Sequence, residues 1–276
     1  IETFLQHPLI TPEQWLESHP WFAITLQNRQ IVIAEPSSSL FIFGLAILTM
    51  GFGISFVRST KDQKFLQWWG FGLIFWGMGA FVAGISYQAF SFELKCRGEA
   101  FCLWTTSWEI AYMTLTNGAV SAMMIGQSFT SAHGKTRKMM QIAGYWLFHL
   151  YLLLLIVGMT VPIQFLLSFE CLVIFLVGEF GFFLFQNLRN FQQHKSDQDR
   201  FFIRLWISLA VIMISYYVYY LSGWADLLWD RNIWFNANDV LHLGLIAWMI
   251  YIKVKLPTVI QVKKPSLKQK ETITSN

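Results

Sequence analysis

Mainly apolar stretches of span length recur seven times along the chain, each separated by a short polar segment. They cover residues 36–57, 65–92, 101–128, 139–159, 161–187, 201–224 and 235–256. A helix that crosses a bilayer needs roughly 20 such residues. A transmembrane barrel instead needs strict alternation in segments of about ten, and this sequence lacks it. The pattern therefore predicts an all-α, polytopic seven-helix bundle. Gly51, Gly53, Gly77, Gly79 and Gly84 lie inside the first two spans and predict close helix contact. Pro162 suits the first turn of the fifth span. Residues 1–35 have no span-length apolar run but carry Glu13, Trp15, Glu17 and Trp21. They lack the basic start and apolar core of a signal peptide, and read as an extramembrane cap or interfacial segment. Three regions follow: a cap at 1–35, a transmembrane domain at 36–256 and a basic tail at 257–276.

Charge gives the bundle a direction. Arg58, Lys61 and Lys64 fall between spans 1 and 2, and Lys135, Arg137 and Lys138 between spans 3 and 4. Arg189, Lys195, Arg200 and Arg204 surround the loop between spans 5 and 6. Lys253 and Lys255 close span 7, and Lys263, Lys264, Lys268 and Lys270 follow it. The opposite side keeps Arg29, Lys95, Arg97 and Arg231, so 16 of 20 basic residues share one side. Basic loops stay in the cytoplasm, which predicts an N-terminus outside and a C-terminus inside. Composition agrees: 55% of residues are apolar and 13% charged, against about 25% charged in soluble domains. An ordinary soluble enzyme and a disordered chain are excluded, and no nucleic-acid signature is present. Cys96 and Cys102 flank the start of span 3, where a disulfide and two separate thiols are both open readings. Cys171 reads as a packing residue.

Ionisable groups inside a membrane are costly and need a partner or a cavity. This sequence has Glu109 in span 3, His149 in span 4, Glu170 and Glu179 in span 5, and Asp239 and His242 in span 7. Glu35 stands at the mouth of span 1, and Tyr87 and Gln88 near the end of span 2. At about 1.5 Å per residue, Glu109 lies roughly 12 Å below the outer end of its span. Asp239 and His242 lie about 6–10 Å below theirs. Shared depth predicts that Glu35, Glu109, Asp239 and His242 converge on one outer pocket, with Glu170 at comparable depth. Asp239 and His242, three apart, share a helical face. Bland roles are expected for His149, a helix contact, and for Glu179, paired with Arg204 or facing an inner vestibule. No lysine lies mid-membrane in span 7, which argues against a retinal protein.

Three segments carry a resemblance: Ile33-Ala34-Glu35-Pro36-Ser37-Ser38-Ser39-Leu40, Gly84-Ile85-Ser86-Tyr87-Gln88, and Phe235-Asn236-Ala237-Asn238-Asp239-Val240-Leu241-His242. With seven spans, the chain resembles the alkaline ceramidase-like superfamily of membrane hydrolases (CREST), closest to a bacterial branch. The resemblance implies a bacterial inner-membrane protein. It also implies a histidine-held zinc ion that activates water against a lipid amide. Glu35, Ser86, Glu109 and His242 match the pattern. Tyr87 stands where a histidine belongs, as does Asn238, with Ala237 at the corresponding bacterial position. One imidazole with several carboxylates suits a hard cation such as calcium better than zinc, or no metal at all.

Three functions follow as expectations. The first is a non-catalytic relative that binds a membrane lipid or a membrane-protein partner in the outer pocket. The second is an intramembrane hydrolase of lipid amides or esters, with Glu109, Asp239 and His242 as catalytic residues. Its metal would sit among Glu35, Glu109, Asp239 and His242. The third is a proton or ion pathway through Glu109, His149, Glu170, Glu179 and Asp239.

Overall fold

The computed structural model describes residues 10–59, 63–132, 134–161 and 163–261. It is about 81% helical. Among the described residues, six helices are long and apolar enough to cross a membrane, and they mark a multi-pass membrane protein. These are α2 (Pro36–Ser59), α3 (Lys64–Ala83, continued by a π-helical turn at Gly84–Ala89), α6 (Gly134–Thr160), α7 (Phe169–His194), α8 (Asp197–Leu221) and α10 (Ala237–Gln261). Another long helix, α5 (Ser107–Ser131), has 25 residues and more polar ones. It is buried continuously from Ala119 to Ser128, so its polar groups face neighbouring helices. Short helices α1 (Pro12–Ser18), α4 (Ser91–Lys95) and α9 (Trp224–Trp229) complete the chain.

Helix α3 packs between α2 and α5, and α10 between α2 and α8. Glycine permits the first contact. A Cβ on Gly53 would lie 2.6 Å from the Gly70 carbonyl oxygen, and one on Gly77 2.6 Å from Met50 Cγ. Gly51 differs from expectation: nothing lies within 4 Å of its Cβ position. Trp69, Phe183, Phe202, Trp206 and Trp248 fill the centre of the bundle.

The N-terminal segment departs from the all-α expectation. Strands β1 (Trp21–Leu26) and β2 (Arg29–Ala34) form an antiparallel hairpin, with Trp21 opposite Ala34. Gln27 and Asn28 make its two-residue turn, both at positive φ, as the twist of a tight hairpin requires. Trp15, Val32, Ala34, Phe92 and the Cys96–Cys102 disulfide form one buried cluster. The segment is thus an ordered cap over one end of the bundle, called the cap end below. The segment after Cys102 is not helical until a capping box at Thr106 starts α5. Residues 101–106 are apolar enough to read as span, but are non-helical, and the helix begins only at Ser107.

Other boundaries shift similarly. α7 starts at Phe169, with Ser168 accepting from the Cys171 amide, after a 3-10 turn at Gln164–Leu167. Pro162, expected in that first turn, lies outside the described residues, as do Lys61 and residues 262–276. α10 runs through Pro257 to Gln261, so the first residues assigned to the tail continue the last helix.

Candidate functional site

The chain leaves β2 at Glu35, whose φ of +42° is left-handed, and turns directly into α2. Its N–H donates to the Pro20 carbonyl at 2.8 Å, fixing that turn against the cap. The first turn of α2 then presents Ser37 and Ser38 to the start of α10. Ser38 Oγ lies 2.7 Å from Asp239 Oδ1 and 2.9 Å from Asn236 Oδ1, sharing its proton between them. Ser37 Oγ donates to Asp239 Oδ2 at 2.9 Å. Within α10, Asn236 and Asp239 cap each other reciprocally. The Asn236 N–H donates to Asp239 Oδ2 at 2.8 Å, and the Asp239 N–H to Asn236 Oδ1 at 3.2 Å. Asn236 and Asn238 both donate through Nδ2 to Glu35 Oε2 at 3.3 Å. Two helix N-termini some 200 residues apart in sequence are thereby clasped by two carboxylates, the charge such termini favour. Asp239 is fully buried, and three donors engage its oxygens. It is a fastening of the fold rather than a free acid or base.

Glu109 occupies a different environment. Because α5 starts at Ser107, Glu109 is in its first turn rather than deep in a span. Its Oε2 accepts from the Thr106 N–H at 3.2 Å, completing a capping box. Its Oε1 lies 2.8 Å from Lys95 Nζ, with both side chains buried. Lys95 Nζ also stands 5.4 Å from the centre of the Tyr87 ring, and Tyr87 meets Tyr112 edge-on. Sequence reasoning treated Lys95 as a loop charge. The signal that could have found it is its neighbour Cys96, bonded to Cys102 in the buried cap cluster.

His242 lies one turn deeper than Asn238 and is 5% exposed. It lines a half-enclosed cavity of about 130 Å³ between α2, α3, α5 and α10. Its Nδ1 has no hydrogen-bond partner, and neither has Oε1 of Gln88, which lines the same cavity. Tyr87, Tyr112, Thr116 and Asn238 add further polar atoms; the rest of the lining is apolar. A second, wider recess of about 640 Å³ opens at the cap end, lined by Glu35, Tyr216, Tyr220, Trp229, Phe235 and Asn236 among others. Asn238 lines both spaces, the wider aromatic vestibule and the smaller, mainly apolar chamber.

The structure therefore brings Glu35 and Asp239 together, sets His242 in the lining of a separate chamber, and pairs Glu109 with Lys95, which stands over the Tyr87 ring of that lining. The expected metal set of Glu35, Glu109, Asp239 and His242 is not gathered, nor is the catalytic set of Glu109, Asp239 and His242. Among the described residues, no group of three or more His, Cys, Asp or Glu side chains could hold a metal ion. The donors around His242 are neutral amides and phenols, and the carboxylates are engaged by hydroxyls, amides and Lys95. Zinc and calcium do not fit. Ser86, which the resemblance singles out, is buried and donates to the Val82 carbonyl at 3.2 Å. His149 is on the exposed face of α6, its Nδ1 2.7 Å from the Tyr145 carbonyl. Glu170 sits in the first turn of α7. Glu179 is buried elsewhere, with no hydrogen bond to either oxygen, so the expected pairing with Arg204 does not form. Comparison of the chain with protein-family models, curated proteins and solved structures gives no match.

Proposed function

We propose that this chain is a seven-span membrane protein, with its cap outside and its basic end in the cytoplasm, that binds a lipid or lipid-like amphiphile without hydrolysing it. The observation that carries the reading is the pair of unpartnered buried polar atoms, His242 Nδ1 and Gln88 Oε1, on two residues that line one mainly apolar chamber. A buried polar atom left unsatisfied costs about 1–3 kcal/mol, and a ligand head carrying a donor or acceptor would recover that cost. Apolar walls with a few convergent polar groups are the usual form of a small-molecule site. The aromatic vestibule suits entry from the headgroup layer, where tryptophan and tyrosine are enriched. α5 serves as the seventh span, its polar residues shielded by its neighbours. The concentration of basic residues at the opposite end supports the orientation, and the disulfide at the cap end suits an oxidising side. The hydrolase reading has less support, because neither a ligand set nor an acid–base pair lines the chamber.

Native mass spectrometry of protein extracted in mild detergent tests this. A discrete bound species is expected on the wild type and should be lost when His242→Ala is combined with Gln88→Leu. Retention of the same species by that variant would overturn the reading.

A further inference from the structure

Glu179 is part of a second, independent feature. It lies about 15 Å along α7, a helix about 39 Å long at 1.5 Å per residue, and so near mid-membrane. It is 2% exposed, and neither carboxyl oxygen has a hydrogen-bond partner. It lines an open groove of about 390 Å³ between α5, α6 and α7, whose other walls are Met124, Ala143, Leu147, Ile174, Phe175, Gly178 and Phe182. No basic side chain is among them. The groove also has a notch: nothing lies within 4 Å of a Cβ built on Gly178. The bundle has thus left space beside an acid that it does not itself satisfy.

We propose that this groove is a lateral binding site for a lipophilic amine, taken from the bilayer with its nitrogen on Glu179 and its hydrocarbon body along Phe175, Phe182 and the Gly178 notch. Charge complementarity decides the class. The lining supplies an acid and no base, so the ligand supplies the base, and a hydrogen bond assisted by charge is roughly twice as strong as a neutral one. Proton transfer from the carboxyl to the amine leaves a net-neutral pair, the arrangement that buried charge tolerates. Glu179 is almost fully buried against the groove, which favours a slim head of one nitrogen over a side chain carried on a partner helix.

The test uses the full chain in detergent with dicyclohexylcarbodiimide, a hydrophobic reagent. The carboxyl adds across one carbon–nitrogen double bond of that reagent, its proton passing to nitrogen, so that nothing leaves and the adduct is read by mass. Labelling of Glu179 is expected, and dodecylamine should suppress it at concentrations at least roughly tenfold below those at which dodecanol does. Gly178→Leu fills the notch without a clash. It should abolish protection by dodecylamine while leaving thermal stability near wild type. Glu179→Gln should lose the adduct and keep the fold. Absence of labelling in the wild type, equal protection by dodecanol, or protection unchanged in Gly178→Leu would each overturn the proposal. None of these outcomes depends on the chamber at His242.

Discussion

Asp239 and His242 sit three residues apart on one helix and do different work. Asp239 accepts from Ser37, Ser38 and the Asn236 amide, fastening α10 to α2. Its removal takes the acceptor from half-buried Ser37 and from the Asn236 N–H and leaves Ser38 with Asn236 alone, each lost acceptor costing about 1–3 kcal/mol. Asp239→Ala should therefore lower thermal stability strongly, by about 2–4 kcal/mol if its bonds are partly compensated. His242 offers an Nδ1 that nothing in the fold uses, so His242→Ala should change stability little and ligand binding much. Parallel melting and binding measurements on the two variants check this; equal destabilisation by both would show that His242 is also a fastening. The sequence made Glu35, Asp239 and His242 visible, because charge in an apolar run stands out. It did not reveal Lys95, since a lysine in a polar loop is ordinary until the fold buries it against Glu109. Shared depth was a poor guide to Glu109 because its helix begins later than hydropathy suggests.

At the scale of elements, hydropathy located the long helices but not their ends. Residues 101–106 read as span because they are apolar, yet they serve the cap, where disulfide geometry and backbone bonds to Ile10 and Lys95 hold them. The hairpin was missed because its turn, Gln27-Asn28, has no glycine and its first strand is largely exposed. The glycine pattern was informative only in part. Gly53 and Gly77 admit the neighbouring helix, whereas Gly51 faces open space. Gly53→Leu should therefore destabilise the α2–α3 contact by about 1–3 kcal/mol. Gly51→Leu, two residues away, should stay within about 0.5 kcal/mol of wild type. Equal losses in unfolding measurements on the two variants would mean that helix propensity, rather than interhelix contact, governs this pair.

For the whole molecule, the proposed seven spans with the cap outside would put the chamber, the vestibule and the disulfide toward the outer face. Engineered cysteines at Lys135 and Lys138, where the basic end of α6 begins, should react with an impermeant maleimide only after the cytoplasmic side is opened. Reaction in intact cells would reverse the orientation and with it the direction of ligand entry. The central claim, an amphiphile seated between His242 and Gln88, is tested most directly by cross-linking. A lipid-like probe with a diazirine near its head, irradiated on the purified protein, should leave adducts on peptides containing Tyr87–Gln88 and Asn238–His242. Competition by unlabelled probe should remove them. Adducts confined to exposed faces of the bundle, such as those bearing Leu153 or Val211, with none in those two segments, would contradict the account.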